Sequence, residues 1–339
     1  MKTISRVHSP EERAEMRQFG ERLALRSQWR LVAGVTILRT AVTRVLPMAG
    51  AAGWWVTLAC LVPGLLLYAL GCGALKRGRS LHKVVYLLAA IALMVDGTST
   101  LTALVTLFTQ GVGTAGTQFT LALVAGGMLL LALNREGLAR GIYFLRGLIL
   151  LLLAAVCIAY VSEAKVDHLF PLLGDGASSI WTAFRAGVGM GWVFLLPLLE
   201  MPVKKCSYTE PLPVVLLCAG VLLTLSLRIP HEQLTRCYAL GDCLVQTVQL
   251  DSLFRLIAIC LWMGTLFLSF GSACSMAARY ALAPWGRSAA WLPACFVLLL
   301  TVTQALPVRE LWQFMSMAEP WLLAVLIAGA TLTFGRKRK

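Results

Sequence analysis

From residue 31 onward the chain is a succession of apolar runs, 17 to 26 residues long, set apart by short segments carrying charges, Gly or Pro. The hydrocarbon core of a bilayer takes about 20 apolar residues of helix to cross, so this pattern constrains the fold more than any single motif. The runs fall near residues 31–47, 54–75, 84–109, 117–134, 142–161, 183–200, 211–228, 252–275, 288–306 and 318–335. A soluble globule is excluded, because only 14% of the residues are charged where such a domain carries about 25%. The pattern predicts an all-α integral membrane protein of ten transmembrane helices, with no separate soluble domain.

Charge supplies a test of the span count, because cytoplasmic loops of membrane proteins collect Lys and Arg. If alternate connections are taken together, the N-terminal segment, Lys76/Arg77/Arg79/Lys83, Arg135/Arg140/Arg146, Lys204/Lys205, Arg279/Arg287 and the tail fall on one side and hold 22 of the 30 basic residues. An even number of spans is therefore expected, in a multi-pass cell-membrane protein with both termini cytoplasmic. The formal charge of +14 reflects topology, and nucleic acid is not an expected partner. Residues 1–30 form a cytoplasmic segment in which Ser9, Pro10 and Glu12 suit a helix start and Met16, Phe19 and Leu23 share a face. That segment reads as an amphipathic helix on the lipid headgroups or as a solvated tail. It lacks the apolar core of a cleavable signal, so the first membrane helix is expected to target the chain. Residues 336–339 are a basic cytoplasmic tail. Most cysteines sit inside apolar runs as small hydrophobes, and only Cys237 and Cys243 share a loop in which a disulfide could form.

Ten spans divide into two sets of five, with repeat one over 31–161 and repeat two over 183–335, the arrangement of transporters built on inverted repeats. The first and sixth spans are then equivalent. The sixth contains Gly187, Gly189 and Gly191, each costing about 1 kcal/mol of helix propensity relative to Ala, followed by Trp192 and Pro197. The first is short and polar, with Thr36, Arg39, Thr40, Thr43, Arg44 and Pro47. Interrupted helices at matching positions point to a midplane binding site; glycines at this spacing also permit close helix packing. Both readings stand at this level.

Ionisable groups within membrane spans cost about 2.5 to 3.5 kcal/mol each, so they pair or line wet cavities. Asp96 lies near the middle of the third span, followed by Gly97, Thr98, Ser99 and Thr100, and Arg39 lies in the first. An Arg39–Asp96 ion pair would balance both charges. Thr36, Arg39, Thr40, Thr43, Asp96, Gly187, Gly189, Gly191 and Trp192 are accordingly the expected ligand-binding residues. His8, His82, His168 and His231 have no partners at metal-ligand spacing, and no nucleophile motif or phosphate loop occurs. Neither an enzyme, a metal nor a cofactor is expected.

Several stretches together resemble the permease-like B subunits of spore nutrient-germination receptors, a family within the amino acid/polyamine/organocation transporter superfamily. The segment HLFPLLGDGASSIWTAF, residues 168–184, resembles the family's Pro-x-x-Gly-acid-Gly segment, with Pro171, Gly174, Asp175 and Gly176 in matching positions. Residues 132–150, 250–270 (with Trp262) and 53–70 are similar to the family's fifth, eighth and second helices, and Pro47 falls where its first helix ends. The chain departs from the family at Leu38-Arg39-Thr40, where a small Gly-containing break is usual, and in having no Glu inside the sixth helix. The resemblance implies a five-plus-five bundle in the spore inner membrane beside an A-type subunit and a lipoprotein C-type subunit, recognising a small nutrient such as an amino acid at the breaks of the first and sixth helices. Two other functions fit the same residues: an ion-coupled amino acid transporter with Asp96 as the coupling carboxylate, and an assembly scaffold without a ligand.

Overall fold

The computed structural model describes residues 26–77, 83–112, 164–200, 207–229 and 252–282, with isolated positions between 138 and 154. The N-terminal segment before residue 26, the fourth, ninth and tenth expected spans, Cys237, Cys243 and the basic tail lie outside the described residues. Everything described is helix, turn or short connection. Arg26–Lys76, Ala177–Leu199 and Cys260–Tyr280 are helices long and apolar enough to cross a membrane.

The first two spans form a hairpin. Helix α1, residues 26–40, runs without a break into a π turn at Ala41–Val45, closed by the Leu46 N–H donating to the Ala41 carbonyl. Pro47 accounts for this change of winding, because it has no N–H to give the carbonyl four residues back and its ring crowds that carbonyl. A single turn, α2 (Leu46–Ala49), and a 3-10 turn at Gly50–Ala52 follow, with Gly50 at φ 58° supplying the left-handed residue that reverses the chain. Helix α3 (Gly53–Lys76) then returns. Its 24 residues span roughly 36 Å, more than the hydrocarbon core requires.

Helix α4 (Lys83–Val112) packs along α8 (Ser252–Leu282), with the Phe270 ring and Ala273 at ordinary contact distance, 3.5–3.7 Å, from the Cβ position of Gly97. The sixth span changes winding twice. Helix α5 (Ala177–Gly187) passes into eight residues of 3-10 helix, Val188–Leu195, and then into α6 (Leu196–Glu200). Runs of 3-10 helix beyond 3–4 residues are uncommon and often mark hinges or strain. Pro197 falls in the first turn of α6, the position where a missing N–H is tolerated. Helix α7 (Leu212–Arg228) completes the described set.

The ends of these elements segregate. At one end the loop 164–176 packs on the α2–α3 turn and on α7. The Trp55 Nε1–H donates to the Leu172 carbonyl at 2.9 Å, the Lys165 N–H to the Leu227 carbonyl at 3.0 Å, and His168 Nδ1 hydrogen-bonds the same carbonyl at 2.9 Å. At the other end, the start of α1, the end of α3, the turn 207–211 and the end of α8 meet. Among the described residues this is the grouping that the alternation of basic residues predicts.

Candidate functional site

At the Pro171–Gly176 segment, Gly174 (φ 54°) and Gly176 (φ 111°) both adopt backbone conformations that favour glycine. The Gly174 N–H donates to the Pro171 carbonyl at 2.8 Å and the Gly176 N–H to the Leu173 carbonyl at 3.1 Å, and the Phe170–Pro171 peptide is cis. A Cβ on Gly174 would lie 2.3 Å from the Ala49 carbonyl oxygen. The glycines therefore fold this segment tightly over the α2 turn and launch α5, whose Ile180 N–H and Ser179 hydroxyl both donate to the Gly176 carbonyl.

Farther in, the two irregular spans meet. A Cβ on Gly187 would stand 2.6 Å from Val45 Cγ2, in the π turn, and 2.9 Å from Cys60 Sγ of α3. Gly191 faces α3 across Gly64: a Cβ on Gly64 would fall 2.3 Å from the Gly191 carbonyl oxygen. Gly189, Met190, Gly191 and Trp192 are buried. The sequence leads one to expect an unwound opening at the glycine trio; the structure has a tighter helix there, and two of its glycines serve close packing. The slimmer 3-10 rod without side chains at 187 and 191 is what allows α3 to approach.

The charged centre joins α1 to α4. Arg39 Nη2 donates to Asp96 Oδ1 at 2.5 Å, and Arg39 Nη1 reaches the Asp96 carbonyl at 3.2 Å and Thr100 Oγ1 at 3.4 Å. Both residues are buried, at 5% and 2% exposure. The expected pair is thus formed, and it ties α1 to α4. Around it, hydroxyls turn back onto their own helices: Thr36 to the Val32 carbonyl, Thr43 to the Arg39 carbonyl, Thr98 to the Met94 carbonyl and Thr100 to the Asp96 carbonyl, all at 2.8–2.9 Å. In a bilayer no water is at hand for those groups, so internal bonding is required. Helix α8 adds buried Thr265, Ser269, Ser272 and Ser275.

Of the expected site residues, Arg39 and Asp96 are in direct contact, with Thr36, Thr40 and Thr43 on the same helix as Arg39. Gly187, Gly189, Gly191 and Trp192 form a second group against α3 and the π turn. Sequence reasoning passed over Glu210. Its carboxylate is buried in the turn before α7 and accepts from Arg30 Nη2 at 2.7 Å, with Arg26 Nε at 3.7 Å. Near it Arg279 Nη2 donates to Gln28 Oε1 at 3.1 Å, and Lys76 Nζ sits 4.0 Å from the centroid of the Tyr208 ring. The available signal was an acid placed among basic loop residues, next to Pro211.

With this geometry in hand, comparison with solved structures identifies the fold as that of membrane transporters. A histidine-to-alanine mutant of the Eremococcus coleocola manganese transporter superposes with a TM-score of 0.56 at 11% identity, covering 92% of this chain and 76% of that one. The same transporter in complex with an aromatic bis-isothiourea substituted compound gives 0.55 at 12% identity, covering 93% and 77%. A glutamate-to-glutamine mutant gives 0.52 at 12% identity, covering 92% and 76%. No family model and no curated protein matches the chain. Among the described residues the protein is all-helical, with helices apolar enough to cross a membrane and the fold of membrane transporters.

Proposed function

We propose that the chain is a B-type, permease-like subunit of a spore germinant receptor, which recognises a small nutrient within a transporter-type bundle and passes the signal to A-type and lipoprotein C-type partners. The observation that carries this reading is the contact of two winding changes, the π turn of the first span at Val45 against the head of the 3-10 segment of the sixth at Gly187. Transporter-type proteins bind solutes where such helices meet, using half-helix dipoles and exposed backbone groups. The tightly seated Pro171–Gly176 segment, next to that junction, adds the family's own sequence pattern. Helix α1 is tied by ion pairs at two levels, to Asp96 in mid-span and to Glu210 at the basic end. A ligand that favours a state with either tie loosened would shift the population and be felt by neighbouring subunits. In this reading the basic end faces the cytoplasm of the spore.

The test is to co-express the tagged chain with A- and C-type germinant-receptor subunits from the same organism, and to delete its gene there. A co-purifying complex together with lost nutrient-triggered germination is the expected result. Solute uptake by the chain alone in proteoliposomes, with germination intact in the deletion, would overturn the reading. That outcome would favour the second reading, an ion-coupled secondary transporter with Asp96 at its coupling site, which the transporter neighbours support.

A further inference from the structure

We infer that the basic end of the bundle holds an anionic glycerophospholipid, its phosphate among Arg26, Arg30 and Lys76 and its acyl chains along the exposed leucines of α3 and α7.

The turn 207–211 gathers charge from two helices. Its Ser207 carbonyl accepts from the Tyr68 hydroxyl of α3 at 2.6 Å, and the Cβ position of Gly73 lies 3.6 Å from the Tyr208 hydroxyl, so the turn is seated on the last part of α3. Lys76 there places its Nζ 4.0 Å from the centroid of the Tyr208 ring. Two residues on, Glu210 accepts from Arg30 Nη2 at 2.7 Å and stands 3.7 Å from Arg26 Nε. Three cations are thus drawn to one short turn that supplies a single carboxylate, and that carboxylate is sequestered at 7% exposure. Arg26 and Arg30 stay partly open, and Lys76 is exposed and forms no ion pair among the described residues. The surface of the cluster therefore carries an excess of positive charge, which an anion complements. Glu210 acts as a positioning residue: it pins Arg30 and draws Arg26 in, so these side chains are ordered before a ligand arrives.

What lies beneath the cations selects a lipid over a soluble anion. Helices α3 and α7 are in contact, and α7 starts at the end where α3 finishes. Leu66 and Leu70 on α3, and Leu212 and Leu216 on α7, are each more than half exposed. Leu70 precedes Lys76 by six residues, about 9 Å along a helix, and Leu212 follows Glu210 by two. Open apolar side chains therefore begin next to the cations and continue on both helices toward mid-span. Tyr208, exposed and amphipathic, is the kind of ring found at headgroup level. A phospholipid meets the cations and the leucines with one molecule, whereas a free phosphate uses the cations alone.

The experiment uses the full-length protein, stripped of lipid in mild detergent. Thermal unfolding midpoints and bound lipid, counted by native mass spectrometry, are followed during titration with three probes. Dioleoyl phosphatidylglycerol is anionic, dioleoyl phosphatidylcholine keeps the chains on a headgroup without net charge, and glycerol phosphate keeps the anion without chains. Phosphatidylglycerol is expected to raise the midpoint and to bind more tightly than phosphatidylcholine by on the order of 10-fold, and glycerol phosphate to have no effect at the same concentrations. Arg26→Gln combined with Lys76→Gln leaves the Arg30–Glu210 tie in place and should weaken phosphatidylglycerol by roughly 25-fold, at about 5-fold per cation. Arg146→Gln removes an exposed arginine elsewhere in the chain and should leave that binding unchanged. Equal binding of the two lipids, or an equal loss with Arg146→Gln, would overturn the inference. So would glycerol phosphate matching phosphatidylglycerol, which would give the cations to a soluble anion. The comparison of probes uses the unaltered protein, so it decides the matter even if the double variant misfolds.

Discussion

Gly64 and Gly191 meet backbone to backbone, and the contact is asymmetric. A Cβ on Gly64 would sit 2.3–2.7 Å from the Gly191 carbonyl oxygen, Cα and carbonyl carbon, whereas a Cβ on Gly191 would sit 3.1 Å from Gly64 Cα and N. Backbone cannot swing aside as a side-chain tip can. Gly64→Ala should therefore force α3 off the 3-10 segment, destabilising the fold by about 1–3 kcal/mol as overpacked cores do. Gly191→Ala needs a shift of only a few tenths of an ångström and should be the milder change. Thermal unfolding of the two purified variants checks the order; equal effects would show that the interface is looser than this.

The outer loop yields a contrast between glycines required by conformation and glycines that are not. Gly174 is left-handed at φ 54° and pressed on the Ala49 carbonyl, and Gly176 at φ 111° and ψ 178° lies in a region open essentially to glycine alone. Alanine at either is expected to destabilise by about 1–3 kcal/mol, with Gly174→Ala the worse because its Cβ also collides. Gly220, inside α7, has nothing within 4 Å of its Cβ position, and Gly220→Ala should stabilise by about 0.5–1 kcal/mol through helix propensity and a less flexible unfolded chain. Unfolding midpoints that fall for the first two and rise for the third are the expected pattern.

How far the sequence reveals this molecule depends on how local each cause is. The apolar runs mark the described spans because desolvation acts on each run by itself. Arg39 and Asp96 stand out because mid-span charges are scarce, and scarcity makes pairing nearly obligatory. The glycine trio was ambiguous for a physical reason: a missing Cβ weakens a helix and invites a neighbour equally well, and only the position of Gly64 on another span shows which effect wins. Glu210 was hidden because its partners, Arg26 and Arg30, are some 180 residues away in sequence, and a loop acid among loop bases looks like ordinary solvated charge.

That Glu210 contact sets up a prediction about the basic end. The carboxylate is 7% exposed while Arg30 and Arg26 are 32% and 40% exposed, so the tie lies between a surface pair, worth about 0–1 kcal/mol, and a buried one, where removing a partner costs about 3–5 kcal/mol. Glu210→Gln should thus lower stability by about 1–2 kcal/mol. Arg30→Ala should follow closely and Arg26→Ala should do little, since its Nε is 3.7 Å away. Unfolding measured at low and high salt distinguishes this from a packing defect, because part of the Glu210 and Arg30 effect should be screened away as salt rises.

The Arg39–Asp96 pair sets a different balance, because both partners are buried. Arg39→Met alone leaves a carboxylate in the bundle interior, and Asp96→Leu alone leaves a guanidinium there. Each single change is expected to cost about 3–5 kcal/mol. The double change removes both charges together and replaces them with apolar side chains. Buried pairs exchanged this way are often no less stable, and the Thr100 hydroxyl keeps its bond to the Asp96 carbonyl, so the double variant should unfold near the unaltered protein. A double-mutant cycle on the purified chain reads this directly, as a coupling energy close in magnitude to the sum of the two single effects. Additive losses would mean that the two side chains act independently, and that the contact between α1 and α4 is held by packing instead of charge.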